Sequence, residues 1–111
     1  MSKIDKSTFD IMEESFGKFI KSLRSRNGIT LTQLASQLDL DSANLSKIEN
    51  GLRAFDEKRL RKLAEAFDLD FEMVKQEYLS DLIAKKVYTT NCSPEVLTLA
   101  EEKINYLLNK K

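Results

Sequence analysis

The polar and apolar positions alternate with a helical period through most of this chain. Between Phe9 and Leu23 the apolar residues Phe9, Met12, Phe16, Phe19/Ile20 and Leu23 follow that spacing. Ser7 with Asp10 offers one start signal, and Ser15-Phe16-Gly17 could instead break the stretch in two. Arg26-Asn27-Gly28 predicts the end, with Gly28 as the residue just past the cap. Residues 1–8 show no periodicity and read as a loose arm. Gly17 inside a helical pattern costs about 1 kcal/mol relative to Ala, and close packing is its simplest explanation.

The stretch Thr30–Gly51, TLTQLASQLDLDSANLSKIENG, reads as two short helices around a tight turn. Thr30 with Gln33 three residues on forms a T-x-x-Q capping box. Leu34, Ala35 and Leu38 point inward, and Asp39 is a type that tolerates the left-handed exit a sharp turn needs. Leu40 is the buried turn residue, Asp41 or Ser42 caps the second helix, Leu45 and Ile48 face inward, and Gly51 ends it. Outward stand Ser42, Ala43, Asn44, Ser46, Lys47 and Asn50, which are short, polar or cationic. Such side chains reach a base edge or a phosphate without filling a groove. The pattern is that of a helix-turn-helix.

Beyond a short loop at Leu52-Arg53-Ala54-Phe55, Asp56 caps a helix with Leu60, Leu63, Ala64 and Phe67 inside. Leu69-Asp70 is the next joint, and a long helix follows from Phe71 to about Tyr88. Thr89-Thr90-Asn91-Cys92 is a turn, after which Ser93, Pro94 and Glu95 open a last helix striped by Val96/Leu97, Ala100, Ile104, Leu107 and Leu108. Neither C-terminal helix can bury its stripe alone, so the two are expected to pack as a hairpin and against a second copy.

Composition narrows the chemistry. The 111 residues suffice for one modest core, and one Pro and three Gly favour an all-helical chain. No apolar run approaches the ~20 residues of a membrane span, and MSKIDKSTFD carries no apolar leader, so neither membrane nor secretion is expected. A lone Cys92 excludes an intramolecular disulfide and fits a reducing cytoplasm. Without His, a Ser/His or Cys/His catalytic pair cannot be built in one chain, and no phosphate-binding glycine loop is present. Neither an enzyme, a cofactor nor a metal is expected. The formal net charge is zero, yet residues 18–62 hold ten Lys/Arg against five Asp/Glu, while both flanks are acidic. A basic centre between acidic ends orients a protein on a polyanion.

With these residues in place, the stretch from about Phe16 to Leu69 resembles the DNA-binding domain of phage repressor and Cro proteins, the XRE-type regulators. The matching landmarks are Arg24, Gly28, Leu34-Ala35, Leu38, Leu40, Leu45-Ser46-x-Ile48-Glu49-x-Gly51 and Leu63-Ala64. The resemblance implies an all-α fold with a five-helix repressor-like helix-turn-helix core, and the periodicity beyond it adds a C-terminal helical hairpin. It divides the chain into an N-terminal arm or short helix (1–12), a DNA-binding domain (13–74) and a C-terminal dimerisation extension (75–111). Two positions depart from the family. Leu31 stands where a Gln usually clamps a phosphate, so that clamp is either missing or supplied by Thr32 or Gln33, and Asp39 replaces the turn glycine.

The resemblance assigns base readout to Ser42, Ala43, Asn44 and Lys47. Backbone contacts fall to Thr30, Thr32, Gln33, Asn50 and Arg53, and a structural ion pair to Arg24 and Glu49. The expected partners are double-stranded DNA and a second copy, with Tyr78, Leu79, Leu82, Ile83, Val87, Leu97, Ile104, Leu107 and Leu108 at the dimer interface. A small homodimeric repressor on an inverted repeat is the leading expectation, and its size and single motif also resemble controller proteins of restriction–modification systems. The alternative is an antitoxin or other interaction module that holds a protein partner on its C-terminal helices.

Overall fold

The computed structural model describes residues 15–110, and every regular element among them is helical. In order these are α1 (Phe16–Arg26), α2 (Leu31–Gln37), α3 (Ser42–Glu49), a 3₁₀ turn (Glu57–Arg59), α4 (Leu60–Ala66), α5 (Phe71–Thr89) and α6 (Val96–Asn109). The expected arm, and the start signal at Ser7 and Asp10 with Phe9 and Met12, lie outside the described residues. Within them, Ser15 caps α1 by accepting the Lys18 amide at 3.3 Å. None of these helices is long and apolar enough to cross a membrane. The chain falls into two compact units, the first ending at Tyr78 and the second beginning at Leu79.

Helices this short are marginal alone, so the first unit depends on its joints and its core. Helices α1 to α5 all end in the same motif. The residue past the cap takes a left-handed conformation and two amides close back on the last turn. Those residues are Gly28 (φ 64°), Asp39 (57°), Gly51 (77°), Asp68 (53°) and Asn91 (55°). At the turn after α2, for example, Asp39 donates to the Ser36 carbonyl at 3.2 Å and Leu40 to the Ala35 carbonyl at 2.9 Å. The motif favours an apolar residue next in line. Ile29, Leu40 and Leu69 fill that place and pack against the core, whereas Leu52, after α3, stays 78% exposed.

The core joins all the short helices. Ile20, Leu34, Leu38, Leu45, Leu63 and Val74 are fully buried, with Phe55 brought in from the loop after α3. The Phe16 ring lies edge-on to Phe55 and Tyr78, with centroids 5.4 and 5.3 Å away. Tyr78 also donates its hydroxyl to the Phe55 carbonyl at 3.3 Å. Its ring is thereby drawn into the first unit's core, where it is half-buried. The described residues contain the two C-terminal helices. Every large apolar side chain of α6 from Leu97 to Leu108 is exposed, so these helices do not satisfy each other's apolar faces. Ser93 Oγ accepts the Glu95 amide at 3.3 Å in a turn closed by i→i+3 bonds, and regular helix begins only at Val96, with Glu95 as its cap residue and no side-chain cap bond.

Gly17 explains how α1 approaches α3. It is buried, and a Cβ built there would be driven into the Ile48 carbonyl oxygen, with Ile48 C at 3.1 Å and Glu49 C at 3.2 Å. These are backbone atoms of a packed helix and cannot rotate aside. Gly17→Ala should therefore destabilise the protein by about 1–3 kcal/mol, although Ala is the better helix former. Urea unfolding of the two proteins checks this, and an equal or higher midpoint for the variant would refute the close approach.

Candidate nucleic-acid interface

The second helix of the motif, α3, is built from its cap outward. Asp41 Oδ1 accepts the Asn44 amide at 2.7 Å, which satisfies an N–H that has no partner within the helix. Leu45, Ile48 and Glu49 are buried on the inner face. Of the predicted readout residues, Ala43 and Lys47 are exposed, while Ser42 and Asn44 are half-buried. The structure brings the last of these into a surface network. Asn44 Nδ2 donates to Asp41 Oδ2 at 3.2 Å, and Arg53 Nη1 donates to Asn44 Oδ1 at 2.8 Å. Asn50 turns back on its own helix, its amide donating to the Ser46 carbonyl at 2.9 Å.

The inner end of α3 is fixed by charge. Arg24 donates to both carboxylate oxygens of Glu49, from Nε at 2.8 Å and Nη2 at 3.0 Å, and from Nη1 to the Ile29 carbonyl at 3.2 Å. The Glu49 side chain is only 3% exposed, so its charge depends on this planar fork. The hydrogen bonds that Glu49 accepts in turn raise the Arg24 pKa. Together with Gly17, the pair sets where α3 lies on α1.

At the entry of the motif, the Thr30 amide donates to Gln33 Oε1 at 2.8 Å and the Gln33 amide to Thr30 Oγ1 at 3.1 Å, the reciprocal capping box. Leu31 packs against the core and Thr32 is exposed beside it. Leu31 is thus an apolar anchor, while the Gln33 amide group retains donors of its own.

The carboxylate of Asp39, a foreign charge in the turn, is countered within the protein. Lys62 forms a salt bridge with it. The hydrogen bond and charge of Lys62, followed by the charge of Arg59, hold the Asp39 pKa below the ordinary carboxylate value. Arg59 was not singled out from the sequence, yet it joins the turn to the 3₁₀ segment. It donates to the Leu38 carbonyl at 2.8 Å, the Asp39 carbonyl at 3.3 Å and Asp56 Oδ2 at 3.0 Å. Its only local signal was the i,i+3 spacing from Asp56; the carbonyls it reaches are some twenty positions upstream.

Two short helices in this arrangement, the second with a buried inner face and an exposed polar outer one, define a helix-turn-helix protein. Residues 17–80 match the family model described as "Helix-turn-helix domain", and the chain belongs to the XRE-type helix-turn-helix family. It is similar to the HTH-type transcriptional repressor RghR of Bacillus subtilis (strain 168), 36% identical over 83 residues that take in 71% of this chain and 62% of that protein. The chain therefore spans about three fifths of the length of the curated relative it matches. No solved structure gives a significant match.

Two outcomes follow from this geometry. Arg24→Met, which strands the buried Glu49 carboxylate, should cost about 3–5 kcal/mol, and Arg24→Met/Glu49→Leu should recover much of the loss. Chemical denaturation of both variants measures this, and a double variant no better than the single one would contradict it. Because the folded Asp39 pKa is lowered, its contribution to stability is present above about pH 3.9 and is lost as pH falls through the folded value. The stability gap between the parent protein and Lys62→Met should accordingly close on acidification, and a gap that persists at low pH would rule out this pairing.

Proposed function

We propose that this protein is a sequence-specific DNA-binding transcription regulator that represses from an inverted-repeat operator as a homodimer. The observation that carries the reading is α3 itself. Ala43 and Lys47 stand exposed on the outer face of a helix whose inner face is locked by Arg24 and Glu49, in a chain of the helix-turn-helix family. In a major groove Lys47 donates to guanine O6 or N7, Ala43 meets a thymine methyl, and Ser42 serves either kind of base. Asn44 stands between them on the first turn. Thr30, Thr32, Gln33, Asn50 and Arg53 flank this helix and are suited to phosphate contacts that set register. The printed name of the Bacillus relative supports repression as the mode.

The second unit supports dimerisation. Leu79, Leu82, Ile83, Leu97, Ile104, Leu107 and Leu108 are all exposed large apolar residues there, with Val87 half-buried near them. An apolar surface of this extent marks an interaction site, and a second copy satisfies it by two-fold symmetry. Two recognition helices related in this way read half-sites about one helical turn apart, ~34 Å.

Selection of binding sites from a random duplex pool at physiological salt, with the mass of the protein measured on the same sample, tests the reading. The expected result is an enriched inverted repeat bound by a dimer. Lys47→Ala, shown folded, should relax preference at one base pair in each half-site by about 1–3 kcal/mol. Salt-sensitive binding without an enriched motif would overturn specific recognition, and a monomer or a tight complex with another protein would overturn the homodimer.

A further inference from the structure

Asn44 occupies a position expected to read bases, yet both ends of its carboxamide are engaged inside the protein. Nδ2 donates to Asp41 Oδ2 at 3.2 Å, and Oδ1 accepts from Arg53 Nη1 at 2.8 Å. A bidentate pair with adenine needs the same two atoms, so Asn44 would have to abandon both bonds to make it. Arg53 is in the opposite situation. It commits one of five N–H donors to Asn44 and keeps a planar fork for an outside acceptor. Asp41 decides which way the carboxamide faces. Its carboxylate accepts only, and it takes the Asn44 amide N–H at 2.7 Å as well as Nδ2, which leaves the carbonyl end turned to Arg53.

We propose that Asn44 is a positioning residue for Arg53. The chain Asp41–Asn44–Arg53 holds the guanidinium beside the start of α3 so that it grips one DNA phosphate bidentately. This rests on the DNA-binding reading above and goes beyond it by moving Asn44 from base readout to the support of a backbone contact. A long side chain loses rotamer freedom when it seizes a phosphate, and a contact already made in the unbound protein removes part of that loss. The anchor is itself well founded, because Asp41 is fixed by its role as the α3 cap.

A double-mutant cycle of Asn44→Ala and Arg53→Ala tests this on the operator selected by the parent protein, with affinity followed across salt concentrations. Arg53→Ala should weaken binding about tenfold, lower the salt slope by about one, and do so equally on all operator variants. Asn44→Ala should weaken binding by a smaller factor, leave every base preference unchanged, and cause no further loss in the Arg53→Ala background. The cap bond to Asp41 uses the Asn44 backbone, so circular dichroism of the variants should match that of the parent. Relaxed preference at one base pair in Asn44→Ala, or losses that simply add, would overturn the positioning role while leaving DNA binding intact. A parent protein that selects no operator would overturn both.

Discussion

The placement of α3 depends above all on the pairing of Arg24 with Glu49. A carboxylate this deeply buried costs several kcal/mol to desolvate, and only a partner of fixed geometry offsets that. Arg24 meets the need with two parallel bonds, and its third bond, to the Ile29 carbonyl, ties the same guanidinium to the chain leaving α1. Such a pair adds little net stability compared with a well-packed apolar contact. What it supplies is a defined register between two helices, since any slide or rotation of α3 along α1 would leave a charge unpaired. Gly17 completes the constraint by letting the α1 backbone touch α3 at Ile48 and Glu49.

Around that contact the fold is assembled from elements that could not persist alone. The helices of the first unit contributed by the motif have seven or eight residues each, well short of the ~12–15 at which an isolated helix becomes marginal in water. Repeated use of one terminating motif keeps the connections tight, and its left-handed residue is a glycine at only two of five places. At Asp39 the strain of a left-handed Asp coincides with compensating contacts. Lys62 neutralises its side chain, and Arg59 binds its carbonyl and that of Leu38. The turn between the two motif helices is therefore fastened from α4 and the 3₁₀ segment, where a glycine would have needed no such support.

The parts legible in the sequence were those encoded locally. The Thr30–Gln33 box, the Asp41 cap and the left-handed Asp39 each depend on residues within a few positions, and the inward residues of α2 to α4 follow from period alone. The Arg24–Glu49 pair joins residues 25 positions apart and was expected only through the family resemblance. Asn44 with Arg53 and Arg59 with Leu38 had no such guide, because a polar surface residue carries no sign of which other polar residue it meets. The C-terminal helices show the converse limit. An apolar stripe says that a face needs cover, but not what covers it. Pairing α5 with α6 was one solution, yet Leu97, Ile104, Leu107 and Leu108 remain exposed. Tyr78 followed the same helical stripe but found a place beside Phe16.

Charge placement reconciles a neutral chain with the proposed polyanionic partner. Of the five acids within the basic block, Glu49, Asp39 and Asp56 each bond a cation of the same block, Arg24, Lys62 and Arg59 respectively. These carboxylates hold helices and turns together, and their fields are cancelled at short range. Asp41 differs, because it sits at the start of α3, where a bare carboxylate would repel the phosphates on either side of a groove. The positive end of the helix dipole offsets part of that charge. The amide N–H and side chain of Asn44 bind it, and the same side chain draws in the Arg53 guanidinium. The acid needed to begin the helix is thus followed, two hydrogen bonds away, by a cation facing the same region. Removing the Asn44 side chain would keep the cap bond to its backbone amide and leave the Asp41 carboxylate without its link to Arg53.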